Sequence, residues 1–231
     1  MRQVSYNRTL PHLWFFHLFH LEHIYLMFTL LLTGIGLAAS AGLNAYFPIL
    51  VLALADRTTD FVNWPTPYDW LSSNVGLLVI LILLPLELVP DKIAKVDHIS
   101  DFIHTALRPG AAALVFMAVA HQDDHIHLVL AMLLGLIIGG AVHWLKASSR
   151  PSITENTRGL GNPIVSLMED ALAAVLAIVA IFLPWAVLVI LPTGFWLLHR
   201  MYRRMQSGES RIMIPFRPVI EAARQSQSKD S

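Results

Sequence analysis

Long apolar runs constrain this chain more than any other feature. Val75–Leu84, Leu128–Val142 and Leu172–Leu183 contain no charged residue, and a chain of 231 residues is too small to bury all three in a soluble core. Charged residues make up only 14% of the sequence, against about 25% in a typical soluble domain. The sequence therefore predicts an all-α, polytopic integral membrane protein with a lipid bilayer as its environment.

The composition also excludes several classes of function. The chain has no cysteine, which rules out disulfides, thiolate zinc sites, iron–sulfur clusters and cysteine nucleophiles. Its 16 basic and 16 acidic residues cancel, so no overall field favours nucleic acid as a partner. The chain is too apolar to be disordered.

Six stretches are apolar enough to predict transmembrane helices. Three helices in each half would make the halves run in opposite directions, as in many transporters. A weak similarity between Gly36–Asn44 and Gly135–His143 fits two such inverted halves. The predicted spans are residues 29–55, 70–89, 110–120, 126–145, 163–183 and 185–199.

The distribution of basic residues predicts the orientation. With six spans, 15 of the 16 Lys and Arg residues fall on one side and only Arg57 falls on the other, and basic residues favour the cytoplasm. We therefore expect a multi-pass protein of the bacterial cytoplasmic (inner) membrane, with both termini cytoplasmic. Residues 1–28 are expected to form an interfacial segment, with an aromatic and histidine-rich helix at Leu13–Tyr25. Residues 29–200 would form the membrane domain, and residues 201–231 a basic, polar tail.

Ionisable side chains gather in two clusters on the predicted cytoplasmic side. Burying a charge in or beside a membrane span costs free energy, so such residues are functional candidates. The first follows span two on one face of a helix that we expect Pro109 to end. The second joins spans four and five, where Pro151 is expected to end one helix and Asn162-Pro163 to begin the next. With one polar residue of span one, the candidate substrate-binding or ion-binding residues are Asn44, Glu87, Asp91, Asp97, Asp101, His104, Arg108, His143, Lys146, Arg150, Asn156, Ser166, Glu169 and Asp170.

Several of these motifs, in the same order, carry a resemblance to a known family. Over about residues 34–199 the chain resembles the bacterial integral membrane proteins described as the domain of unknown function 4126 family. The resemblance implies a membrane fold and supports the site residues, but it implies no reaction. The motifs are Gly42-Leu43-Asn44-Ala45-Tyr46, Glu87, Asp91-Lys92, Asp97, Asp101, His104-Thr105, Arg108-Pro109, Gly139-Gly140, His143, Lys146-Ala147, Arg150, Asn156-Thr157, Ser166 and Glu169-Asp170.

This chain departs from the family pattern at two places. The family usually has alanine-aspartate-lysine where this chain has Pro90-Asp91-Lys92. It commonly has serine-proline-glutamate-proline where this chain has Arg158-Gly159-Leu160-Gly161. The second departure affects the loop between spans four and five.

Three hypotheses for function follow from the polar clusters. The favoured one is a transporter or channel-like protein for a small anionic or zwitterionic solute or a lipid headgroup. A membrane enzyme is the second, with Asp97 and Asp101 holding a divalent cation, His104 as acid–base and a phospholipid headgroup as substrate. A non-catalytic scaffold or assembly factor is the third. The sequence favours a non-enzyme, names no cofactor or substrate, and leaves open whether the chain forms a homo-oligomer.

The predicted outer turn between spans three and four contains five potential metal ligands. Imidazole and carboxylate groups together suit zinc or nickel, although polar turns between spans are common without a metal. No metal is assigned on this basis. The ligands in question are His121, Asp123, Asp124, His125 and His127.

Overall fold

The computed structural model describes residues 11–59, 63–88, 97–122, 126–157 and 161–206. Within these ranges the side chains of residues 11–21, 97–104 and 205–206 are not described. The described residues form helices and short turns, without a β-strand. The predicted all-α class is therefore confirmed.

Seven α-helices and two short 3-10 helices, Asp69–Ser72 and Pro184–Ala186, make up the described fold. Three of them contain stretches long and apolar enough to cross a bilayer, at Glu22–Leu43, Leu128–Thr157 and Asn162–Phe182, and two shorter apolar helices lie at Asn74–Leu88 and Thr105–Ala120. The helices are α1 (Pro11–Leu43), α2 (Tyr46–Thr58), α3 (Asn74–Leu88), α4 (Asp97–Ala120), α5 (Leu128–Thr157), α6 (Asn162–Phe182) and α7 (Val187–Gln206).

Large apolar side chains lie on the outside of the bundle. On α3, Leu78, Leu81, Ile82 and Leu86 are each more than half exposed, whereas Glu87 on the same helix is buried. A water-soluble protein shows the opposite arrangement, and an exposed apolar surface of this extent fits contact with lipid. The fold is that of a membrane protein.

The chain reverses direction between α1 and α2. Contacts of Gly34 with Phe116 and of Ala45 with Glu87, itself bound to Arg108, show that α1 runs antiparallel to α4. Beyond α2, however, the carbonyl of Asn63 accepts a hydrogen bond of 2.8 Å from Gln122, just past the end of α4. Since α4 rises about 1.5 Å per residue, α2 must run back along α1. The two helices form a hairpin.

This hairpin corrects the first predicted span. Residues 29–55 do not cross in one direction. They run one way along α1 and return along α2. Tyr25 stacks on Trp185 before α7, while Tyr202 near the end of α7 contacts Glu169 at the level of the hairpin turn. We call these the aromatic end (Tyr25, Trp64, Trp185) and the polar end of the bundle. α1 runs from the aromatic end to the polar end, and α7 finishes at the polar end. The side on which each terminus lies stays a prediction.

The relation between α1 and α5 likewise differs from the inverted-repeat prediction. A Cβ at Gly139 would lie 3.3 Å from the carbonyl of Ala38. Five residues further along α1, the carbonyl of Leu43 accepts a hydrogen bond of 3.0 Å from Lys146, which is seven residues further along α5. Both helices therefore run in the same direction, and the prediction that spans one and four are inverted is wrong. Their similar sequences reflect close packing of small residues, which allows two backbones to approach.

Two prolines expected to end helices lie inside them instead. α4 continues through Pro109 to Ala120, and α5 continues through Pro151 to Thr157. Such prolines are tolerated in membrane helices because neighbouring groups satisfy the backbone atoms they free. α1 is also continuous from Pro11, so the predicted interfacial helix is its first part rather than a separate element.

The start of α6 follows the prediction with one difference. The helix begins at Asn162, with Pro163 in its first turn. The Asn162 side chain does not cap it; it exchanges hydrogen bonds with Thr154 at 3.0 and 3.2 Å. Asn162 thus ties α6 to α5.

Close packing of α4 and α5 gives the first testable prediction. A Cβ at Gly139 would overlap the Cβ of Ala112, whereas a Cβ at Gly140 would lie 3.8 Å from Pro109, an ordinary contact. We expect Gly139→Ala to cost about 1–3 kcal/mol of stability through overpacking. Gly140→Ala is the matched control and should be neutral or slightly stabilising, because alanine favours helix. Thermal unfolding of both variants in detergent tests this, and equal midpoints would contradict the packing.

Candidate functional site: a buried charge cluster at the helix break

The break between α1 and α2 is held by side chains from other helices. The backbone N–H of Ala45 donates to both carboxylate oxygens of Glu87, at 3.2 and 3.1 Å. The freed carbonyl of Leu43 accepts from Lys146 Nζ at 3.0 Å. Buried backbone groups need such partners, so these two charged side chains stabilise the reversal.

Asn44 completes the turn from within. Its Oδ1 accepts from the backbone N–H groups of Tyr46 at 3.1 Å and Phe47 at 3.3 Å, as an N-terminal cap does. Its Nδ2 donates to Asp170 Oδ1 at 3.3 Å. Asp170 also accepts from Ser166 at 3.5 Å, so Asn44 connects the turn to α6.

Glu87 belongs to an ion pair that reaches α5. Arg108 Nε donates to Glu87 Oε1 at 2.9 Å, and Arg108 Nη1 lies 3.2 Å from His143 Nδ1. The other ring nitrogen of His143 lies 3.2 Å from the hydroxyl of Thr105. The chain Glu87–Arg108–His143–Thr105 therefore joins α3, α4 and α5.

Glu169 on α6 lies at the centre of a second group. Its Oε2 contacts Arg150 Nη2 and lies 3.3 Å from Lys146 Nζ. Its Oε1 accepts a hydrogen bond from the hydroxyl of Tyr202 on α7. Because Lys146 also holds the Leu43 carbonyl, it joins this group to the helix break.

Every charged member of the cluster is almost fully buried. Among the described side chains, the cluster contains three cations and three carboxylates, and none is more than 5% exposed. In a low-dielectric interior each charge costs several kcal/mol of desolvation that only a well-placed partner offsets. The members are Arg108, Lys146, Arg150, Glu87, Glu169 and Asp170.

The structure brings together nine of the candidate residues and places others apart. Asn156 is exposed and bonds to the carbonyl of Ser152 at 2.9 Å, away from the cluster. Asp91 lies outside the described residues. Three further candidates of the first cluster lie in α4, but their side chains are not described. The nine are Asn44, Glu87, Arg108, His143, Lys146, Arg150, Ser166, Glu169 and Asp170; the undescribed three are Asp97, Asp101 and His104.

Sequence reasoning missed Tyr202. The residue is 4% exposed, but it is followed by the exposed basic residues Arg203 and Arg204, which indicated a tail at the membrane surface. Tyr202 lies four residues after the buried Leu198, and this helical spacing places both side chains on the face of α7 that packs against the bundle. The backbone groups of Leu43 and Ala45 were not predictable as part of the site.

The outer-turn metal hypothesis is only partly covered by the described residues. His121 and His127 are described and both are exposed. Asp123, Asp124 and His125 lie outside the described residues. Within the described part of the chain, no group of three or more His, Asp or Glu side chains is placed to hold a metal ion.

Comparison with protein families shows what class the chain belongs to. A model described as "Domain of unknown function (DUF4126)" matches residues 31–204, which contain all nine clustered residues and Tyr202. The chain belongs to this family, as the resemblance indicated. No curated protein and no solved structure matches it.

Proposed function

We propose that this protein transports a small anionic solute across a membrane, with the buried charge cluster as its binding site. The observation that carries this proposal is the position of the cluster at a broken helix. Discontinuous helices place freed backbone groups and charges together inside the bilayer, and transporters use them to hold substrates and ions.

The surroundings of the cluster support transport over a purely structural role. Buried ion pairs are weak evidence for stability, because apolar side chains of similar size often serve as well. Here Glu87 and Lys146, each from a different ion pair, bind backbone groups at the turn between α1 and α2. Ionisable residues inside a membrane domain mark substrate or ion pathways by default.

The polar end is proposed to face the cytoplasm. Arg203 and Arg204 are exposed there, and the chain segments beyond α3 and α5 carry Lys92, Lys95 and Arg158. The aromatic end has Arg57, which donates to Asn74 at 2.9 Å. By the tendency of basic residues to stay inside, the cluster would lie toward the cytoplasmic face.

Flux through reconstituted protein tests this proposal. Proteoliposomes containing the wild type should exchange nitrate or small radiolabelled carboxylates faster than empty liposomes. Arg150→Met should lower that rate about 10- to 100-fold, since a hydrogen bond to a charged group contributes about 1.5–3 kcal/mol.

Arg203→Met is the matched control, because this arginine is exposed on α7, and it should keep the wild-type rate. Variants that elute as the same species from gel filtration are compared. A wild type that moves none of these anions faster than empty liposomes, or an Arg150→Met variant at full rate, would contradict the proposal.

A further inference from the structure

The surroundings of Glu169 are chemically those of an anion-binding site. Lys146 Nζ and the Arg150 guanidinium meet at Oε2, and the Tyr202 hydroxyl donates to Oε1. The three donors come from α5 and α7, while the carboxylate itself comes from α6. All four side chains are 4% exposed or less. A free carboxylate of the same shape would find the same partners there.

Resting on the transport function proposed above, we propose that Glu169 is an internal stand-in for the substrate. A small monovalent oxyanion of the carboxylate type displaces the Glu169 side chain from Lys146, Arg150 and Tyr202. Glu169 takes up one proton as it leaves, and the anion and the proton therefore bind and move together.

The proton follows from the cost of a buried charge. A Glu169 carboxylate displaced from Lys146 and Arg150 would remain inside the bundle as a charge removed from these cations, and such a buried charge is neutralised by taking up a proton. The step balances: one anion enters, one proton from water forms an O–H bond on Glu169, and the charge of the site is unchanged. No oxidant, reductant or further reactant is needed.

Glu169 suits this role better than the other two buried carboxylates. Glu87 holds the backbone N–H of Ala45 as well as Arg108, so displacing it would disturb the helix break. Asp170 accepts from Asn44, whose side chain also binds the backbone N–H groups of Tyr46 and Phe47, so displacing it would likewise disturb the helix break. The contacts of Glu169 described above are all with side chains that could donate hydrogen bonds to another oxyanion.

Counting protons during binding tests the inference. Acetate is titrated into purified protein in detergent by calorimetry, in two buffers of different ionisation enthalpy, with chloride as a control of different shape. The wild type should take up one proton per acetate bound, and its apparent Kd should weaken about tenfold per pH unit in the alkaline range. Chloride should bind at least tenfold more weakly than acetate.

Glu169→Gln supplies a neutral side chain of the same shape. This variant should bind acetate without proton uptake and with no dependence on pH. If the variant does not fold, the proton count of the wild type still decides the matter. Acetate binding without a proton, or no acetate binding by the wild type, would overturn the inference.

The outcome is separable from that of the transport proposal. Anion flux without linked proton uptake overturns the stand-in role and leaves transport standing. Proton-linked acetate binding by a protein that shows no flux keeps the site and overturns the transport function.

Discussion

Glu87→Leu is expected to lower the free energy of unfolding by about 3–5 kcal/mol, the usual cost of removing one partner of a buried ion pair. Arg108 is fully buried, and its guanidinium would lose the carboxylate 2.9 Å away. The Ala45 N–H would lose its acceptor as well. Thermal unfolding of the purified protein in detergent measures the effect.

Three further variants separate the causes. Glu87→Gln keeps an acceptor for the Ala45 N–H and should destabilise less than Glu87→Leu. The double variant Glu87→Leu/Arg108→Met removes both charges and should recover much of the loss. Glu22→Leu, at an exposed glutamate of α1, should stay within about 0.5 kcal/mol of the wild type. A Glu87→Leu protein as stable as the wild type would show that the ion pair does not hold the helix break.

Lys146→Met is expected to loosen the hairpin between α1 and α2. The Leu43 carbonyl would lose the ammonium donor at 3.0 Å, and Glu169 would lose the same ammonium group, which lies 3.3 Å from its Oε2. A hydrogen bond to a charged group is worth about 1.5–3 kcal/mol. Amide hydrogen exchange at Ala45–Phe47 should therefore become about 10- to 100-fold faster, since exchange reports the free energy of local opening.

Two controls accompany this measurement. Trp144→Met changes a neighbour on α5 that is 70% exposed and should leave exchange at the turn unchanged. Amides of α4 between Ala112 and Ala118 should exchange at the wild-type rate in both variants. Faster exchange along the whole bundle would indicate general destabilisation rather than opening of the turn.

The membrane class and much of the buried cluster were predictable from the sequence. Glu87, His143 and Glu169 stand out because each is an ionisable residue inside an apolar stretch. Burying such a group costs free energy that a partner must offset. The helical spacing of His143, Lys146 and Arg150 also places them on one face of α5. All three are buried.

The reversal at Asn44 was not predictable in the same way. A hairpin and a straight span keep the same apolar composition, so hydropathy does not distinguish them. The turn depends on Glu87 and Lys146, which lie 42 and 103 residues from the backbone groups they hold. Pro109 and Pro151 were misjudged for a related reason, because rules for helix ends in water omit the tertiary contacts of a bundle.

The central claim is that Lys146, Arg150 and Glu169 bind substrate, in addition to the hydrogen bond by which Lys146 holds the helix break. The triple variant Lys146→Met/Arg150→Met/Glu169→Leu tests it most directly, because it replaces the charged group with apolar side chains of similar size. We expect this protein to stay folded and to lose no more than the about 1.5–3 kcal/mol that the Lys146 hydrogen bond to the Leu43 carbonyl contributes, because the two cations and the carboxylate are removed together. Its anion flux should be no faster than that of empty liposomes. A triple variant that still transports anions at the wild-type rate would contradict the claim.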